Sequence, residues 1–176
     1  TGPGAVISGS CSDRTLAQLA DFETAGHPVL RIDLRSGSPA TILDGVRAWA
    51  SSRIGDQPVA IATSADVDDL TATQGAIGRE RAARMAEQIL GQTARMLVDM
   101  GVRRLCVAGG ETSGAVLDAL GVKELNVGPY VPRGIALATT TLPCGTVGLC
   151  LKSGRIGADD VFTERLATLP IGGHRG

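Results

Sequence analysis

Aromatic side chains are nearly missing: Phe22, Trp49, Tyr130 and Phe162 are the only four among 176 residues. A core must therefore be assembled from valine, leucine, isoleucine and alanine, and there is no ladder of rings on which single-stranded nucleic acid would stack. Histidine is as scarce, with His27 beside a proline and His174 near the end. The four cysteines, Cys11, Cys106, Cys144 and Cys150, form no Cys-x-x-Cys pair, so no metal site is assigned. They read as small reduced core residues of a cytoplasmic protein. No apolar run reaches the roughly 18 residues of a membrane span. The opening Thr-Gly-Pro-Gly has neither the basic residues nor the long apolar core of a secretion signal. A net charge of −1 leaves no large basic surface for DNA or RNA. Three signatures are also absent: the Gly-x-x-x-x-Gly-Lys-Ser/Thr phosphate loop, the Gly-x-Gly-x-x-Gly dinucleotide turn and the Gly-x-Ser-x-Gly nucleophile elbow.

What is present is an alternation. Short apolar runs at 5–8, 29–34, 58–64 and 104–109 are separated by stretches with helical spacing at about 13–25, 40–54 and 77–100, and a further helix follows at 112–120. That order predicts an α/β domain whose mostly parallel sheet is flanked by helices. In the last third the alternation stops. There "KELNVG", "GIALATT" and "TVGLCLKS" read as successive strands extending the sheet in antiparallel pairings, closed by a helix at about 158–166. The polar stretch 65–75, with Asp66, Asp68 and Asp69, reads as a solvated loop. We expect one domain over 1–170 and a disordered tail over 171–176. The absence of an initiator methionine from what reads as a linker leads us to expect a piece of a longer protein.

Three predicted strand ends share a composition: Ser8, Ser10 and Ser12 in "SGSCS", Gly109, Gly110, Glu111, Thr112 and Ser113 in "GGETSG", and Lys152, Ser153 and Gly154 in "KSG". Small residues let a ligand approach the backbone, and a helix beginning at Thr112 or Ser113 aims its first N–H groups at the same point. Ligands of open α/β sheets bind at the carboxyl ends of the strands, so these three ends are expected to form one phosphate site, with Lys152 adding positive charge. Any one of them alone reads better as a tight strand-to-helix turn with a serine cap. No acyl-transfer residues are at hand, whereas phosphoryl transfer needs mainly positioning and charge, usually with Mg²⁺. No catalytic base is assigned.

The series "SGSCS..T..Q", "VAGGETSGAV..ALGV", "GP", "PRG" and "LCLKSGRIGADDVF" resembles the C-terminal nucleotide-binding domain of the four-carbon acid sugar kinases, over roughly Val6 to Leu166. The resemblance implies a cytoplasmic two-domain enzyme. A separate N-terminal domain would bind a sugar acid of the 3-oxo-tetronate, threonate or erythronate type. This domain would bind ATP with Mg²⁺ through the serines of 8–12, the 109–113 turn and Ser153-Gly154, for transfer to the terminal hydroxyl. Where the family usually carries Gly-Asn-Phe-Gly, this chain has Gly154-Arg155-Ile156-Gly157. "DDLTAT" at 68–73 echoes an N-terminal motif of the family but follows the third strand here, and is read as coincidence. The expected partners are thus nucleotide and, through the other domain, a sugar acid; this portion alone would be inactive, and self-association is left open. The alternatives are a stand-alone nucleotide- or phosphate-binding module and, more remotely, a dinucleotide-dependent oxidoreductase domain. With so few rings, the base is expected to be read loosely. Tyr130 is expected to be a partly buried loop anchor.

Overall fold

The computed structural model describes residues 3–55, 57–63, 67–131 and 134–170, the side chain of Val67 excepted. The expected tail 171–176, His174 and Asp66 lie outside the described residues. In chain order the elements are β1 (Gly4–Ser8), α1 (Asp13–Thr24), β2 (Val29–Arg31), α2 (Pro39–Ser51), β3 (Val59–Ala62), α3 (Val67–Ile77), α4 (Arg79–Asp99), β4 (Arg104–Ala108), α5 (Gly110–Leu120), β5 (Asn126–Val127), β6 (Ile135–Leu142), β7 (Gly145–Lys152) and α6 (Val161–Thr168). The strands form one sheet in the order β2-β3-β1-β4-β7-β6-β5. β2, β3, β1, β4 and β7 run parallel, while β6 and β5 form an antiparallel edge. This is the mixed sheet the sequence predicts.

Every residue of β1 and β3 is buried, as a sheet covered on both faces requires. Alternation along the strands divides the core in two. Ala5, Ile7, Leu105, Val107 and Leu149 pack with residues of α2, α4 and α5. Val6, Cys106, Ala108 and Cys150 pack with α1 and α6, where Phe22 and Phe162 meet edge to face. α1 and α2 begin on serine caps: Ser12 accepts from the Thr15 amide and Ser38 from the Thr41 amide. Because α1 covers one face on its way to β2 and α5 covers the other on leaving β4, the connections from the adjacent strands β1 and β4 diverge. By the rule for open α/β sheets, a ligand crevice is expected between their carboxyl ends. No helix among the described residues is long and apolar enough to cross a membrane.

Four expectations need correction. The strand predicted over 29–34 stops at Arg31 because Asp33 turns the chain: its carboxylate accepts from the Arg35 amide at 2.8 Å and its carbonyl from the Ser36 amide at 3.1 Å. The supposed loop 65–75 is mostly α3, with Asp68 and Asp69 in its first turn, where carboxylates favour a helix. Tyr130 is not a buried anchor but 89% exposed, beside exposed Val127 at the sheet edge. Only Cys106 and Cys150 are core residues; Cys11 is half-buried and Cys144 exposed.

Candidate functional site

The three glycine- and serine-rich ends lie side by side because β1, β4 and β7 are neighbours in register: Ser8 pairs with Ala108, and Ala108 with Lys152. Two backbone bonds continue the ladder beyond the strands, from Gly9 N–H to the Ala108 carbonyl at 3.2 Å and from Gly109 N–H to the Lys152 carbonyl at 3.0 Å. At the β4 end, Gly109 adopts φ 116°, a conformation in which a side chain would be strained. Gly110, already the first residue of α5, has open space where a Cβ would stand. The positive-φ glycine is thus Gly109, and the vacant face belongs to Gly110. No side chain caps α5, so its first amides face the crevice unclaimed by a cap. Ser113 directs its hydroxyl back to the Gly109 carbonyl at 2.8 Å. Thr112 is buried against Gly9, whose missing Cβ leaves just enough room for its hydroxyl. Glu111 is exposed at the mouth.

On the β7 side the hydroxyls form a lattice. Ser12 Oγ donates to the Gly154 carbonyl at 2.5 Å and Thr15 Oγ1 donates to the same oxygen at 2.7 Å; Ser10 Oγ reaches Ser12 Oγ at 3.2 Å. A Cβ on Gly154 would overlap Ser10 Oγ. Deeper, the buried Gln18 amide donates to the carbonyls of Ile156 at 3.1 Å and Ala158 at 2.9 Å. The Thr and Gln of "SGSCS..T..Q" thus clamp the segment after β7 onto α1. Ser8 is buried in the sheet and Ser153 is exposed at its rim. Lys152 does not present its charge at the rim: it is buried, with Nζ 3.5 Å from Thr15 Oγ1. Burial lowers its pKa to about 8.

From Gly9, Glu111 and Thr112 a cavity of about 700 Å³ continues over the ends of β2 and β3 and under α3 and α4. Leu16, Leu34, Leu70 and Ala86 give it apolar walls; Asp33, Arg35, Asp69 and Glu87 give it charge. The Arg35 guanidinium grips Asp33 at 2.8 and 3.1 Å and reaches Asp69 at 3.4 Å. The side-chain bond from Arg35, then its backbone bond, hold the Asp33 carboxyl below its usual range. Sequence reasoning missed this group; the signal was Asp33 and Arg35 interrupting an apolar run at a strand's carboxyl end. His27 packs on Phe22 at 4.5 Å, before β2 and so at the opposite end of the sheet. Among the described residues, no three His, Cys, Asp or Glu side chains could hold a metal ion between them.

Residues 5–162 match the model of the nucleotide-binding C-terminal domain. A 3-oxo-tetronate kinase of Cupriavidus necator is 42% identical over 174 residues, which is 98% of this chain and 39% of that protein. One of Burkholderia multivorans is 41% identical over 169 residues, covering 96% of this chain and 39% of the relative. A crystal structure of a Haemophilus influenzae protein superposes with a TM-score of 0.83 at 24% identity, over 96% of this chain and 40% of that one. The chain therefore spans about two fifths of the length of the curated relatives it matches.

Proposed function

This chain belongs to the nucleotide-binding C-terminal domain family, and from that premise we propose that its crevice holds the polyphosphate of ATP for transfer to a four-carbon sugar acid. The observation that carries the reading is the β1–β4 crevice itself. Its floor is an uncapped helix start behind a left-handed glycine, with an empty face at Gly110. Backbone N–H groups there suit an anion, and no side chain obstructs one. Ser10, Ser12 and Ser153-Gly154 form the facing wall, and the cavity toward β2 and β3 has room for the rest of the nucleotide. Mg²⁺ fits this donor set only with help from the phosphates: Glu111, at the mouth, and Glu87, in the adjoining cavity, are carboxylates of the kind that hold it jointly with phosphate oxygens. It would neutralise charge between the phosphates.

The chain's own part in the reaction is to bind and orient. The helix start and glycine turn fix the phosphates, and the α1 clamp fixes the shape of the opposite wall. In a polypeptide as long as the relatives, the remaining residues would supply the sugar-acid pocket and the base for its terminal hydroxyl. Support comes from the relatives' names, 3-oxo-tetronate kinase. Titrating the chain with ATP, ADP and NAD, with and without Mg²⁺, tests the binding half. We expect ATP and ADP to bind, more tightly with Mg²⁺, and NAD to bind at least tenfold more weakly, about 1.4 kcal/mol. Preference for NAD would overturn the reading in favour of a dinucleotide domain.

A further inference from the structure

Lys152 is a buried cation with no carboxylate to pair with it among the described residues. The residue is 2% exposed. No carboxylate among the groups packed around it pairs with it. From β4 and β7 come the thiols of Cys106 and Cys150: burial pushes the Cys106 thiol well up, while the hydrogen bond from Cys106 draws the Cys150 thiol down, so Cys150 is the one neighbour able to offer the amine negative charge. From α6 come the Phe162 ring, with Nζ 5.5 Å from its centroid, and Arg165 and Glu164, which pair with each other at 3.1 Å. From α1 come Thr15 and Gln18, both neutral. An ammonium in such surroundings is costly, so the amine sheds its proton more easily and would gain from any negative charge brought near it.

The direction from which that charge arrives can be traced through the hydrogen bonds. Lys152 Nζ donates to Thr15 Oγ1 at 3.5 Å, Ser12 Oγ stands 3.2 Å from Thr15 Oγ1, and Ser10 Oγ 3.2 Å from Ser12 Oγ. The line runs from the amine to the crevice wall, past the Thr15 and Ser12 hydroxyls, whose own protons go to the Gly154 carbonyl. We propose that Lys152 is a concealed counter-charge for the anion in the crevice, acting across the wall of Thr15, Ser12 and Ser10 without touching it. The inference rests on the nucleotide reading above and names its electrostatic partner. Lys152 is accordingly a positioning residue, not a ligand contact.

The consequence is a proton linkage. In the free chain burial keeps the amine at about 8 instead of near 10.5. An anion in the crevice favours the charged form and raises that value, so above pH 8 binding must take up a proton and affinity falls as pH rises. Phosphate's own last ionisation, at about pH 6, is roughly nine-tenths complete at pH 7 and would strengthen binding as pH rises, opposite to the effect sought. The test compares ATP with adenosine, which carries no phosphate, at pH 7 and pH 9. It uses a Cys150→Ala chain, so that the thiol beside the amine adds nothing to the profile. We expect the dissociation constant for ATP to rise about fivefold between the two pH values, that for adenosine less than twofold, and Lys152→Met to flatten the ATP profile to under twofold. Calorimetry of the parent in two buffers of different ionisation enthalpy gives a second measurement independent of that variant's folding: about half a proton is taken up per ATP at pH 8.5. ATP binding with a flat profile and no proton uptake overturns this proposal while leaving the nucleotide reading intact. So does a folded Lys152→Met chain that keeps the parent's slope. No ATP binding at either pH overturns both.

Discussion

On the β7 side of the crevice, Ser12, Thr15 and Gln18 send their donors into the carbonyls of 154–158, and a hydrogen-bonded lattice results. On the β4 side, α5 starts without a side-chain cap and Gly110 borders empty space. One wall has committed its polar groups to its own shape; the other has kept its backbone donors available. The first has few donors left for a ligand; the second is held by Ser113 on the Gly109 carbonyl and by Thr112 against Gly9, and leaves its first helical amides uncapped for the proposed anion. A site made of two such walls separates positioning from binding, and substitutions should separate them too.

The largest effect is expected from Gly154→Val. Its side chain overlaps Ser10 Oγ and crowds Ser12 Oγ, so the orienting wall is pushed apart. We expect ATP affinity to fall more than a hundredfold, about 2.7 kcal/mol, and overpacking to lower the melting temperature by about 4–10 °C. Gly110→Val acts on the other wall and should break the pairing of the two effects. A Cβ there meets nothing in the protein, so melting should stay within about 2 °C of the parent while ATP binding weakens at least tenfold, about 1.4 kcal/mol. Unchanged ATP binding in a folded Gly110→Val chain would show that the vacant face is only a turn. A change of ligand should do less. With aliphatic cavity walls and the lone tyrosine 89% exposed at the sheet edge, GTP is expected within about tenfold of ATP in the same titration. Gln18→Leu should have the smallest effect on binding, under about threefold. It should nevertheless melt several degrees lower, because two carbonyls lose their donors at about 1–3 kcal/mol.

How legible is this in the amino-acid order? The parallel strands are, because β1, β3 and β4 are buried on both faces and read as continuous apolar runs between helical stretches. The three strand ends are legible as compositions, and their adjacency follows from the rule that parallel strands present their carboxyl ends together. α3 is hidden because its polar residues at 68–74 read as loop, although Leu70, Thr73 and Gln74 recur at helical spacing toward the cavity. Lys152 is misread because a charge at a strand end looks like a rim residue. The parity of "LCLK" carries the correction: Lys152 falls on the same face as Cys150, which α1 and α6 cover. That Gly109 rather than Gly110 takes the positive φ depends on where α5 begins, and a run of two glycines does not say. The Arg35–Asp33–Asp69 group is out of reach as long as Asp69 is assigned to a loop.

The insertion of β7 between β4 and β6 has a consequence in time as well as in space. The clamp that shapes the crevice joins Ser12 and Thr15 to Gly154, across 142 and 139 residues of chain. During synthesis, the β1 and β4 ends can meet while the wall that faces them has yet to be made. The β5–β6 antiparallel edge must be produced first, and β7 then adds to the free side of β4. Contacts of such long sequence separation form late and slowly. Capture of the proposed nucleotide would therefore wait for β7 and the segment after it, and a ribosome stalled before residue 154 would hold a polypeptide with most of this core and without that wall.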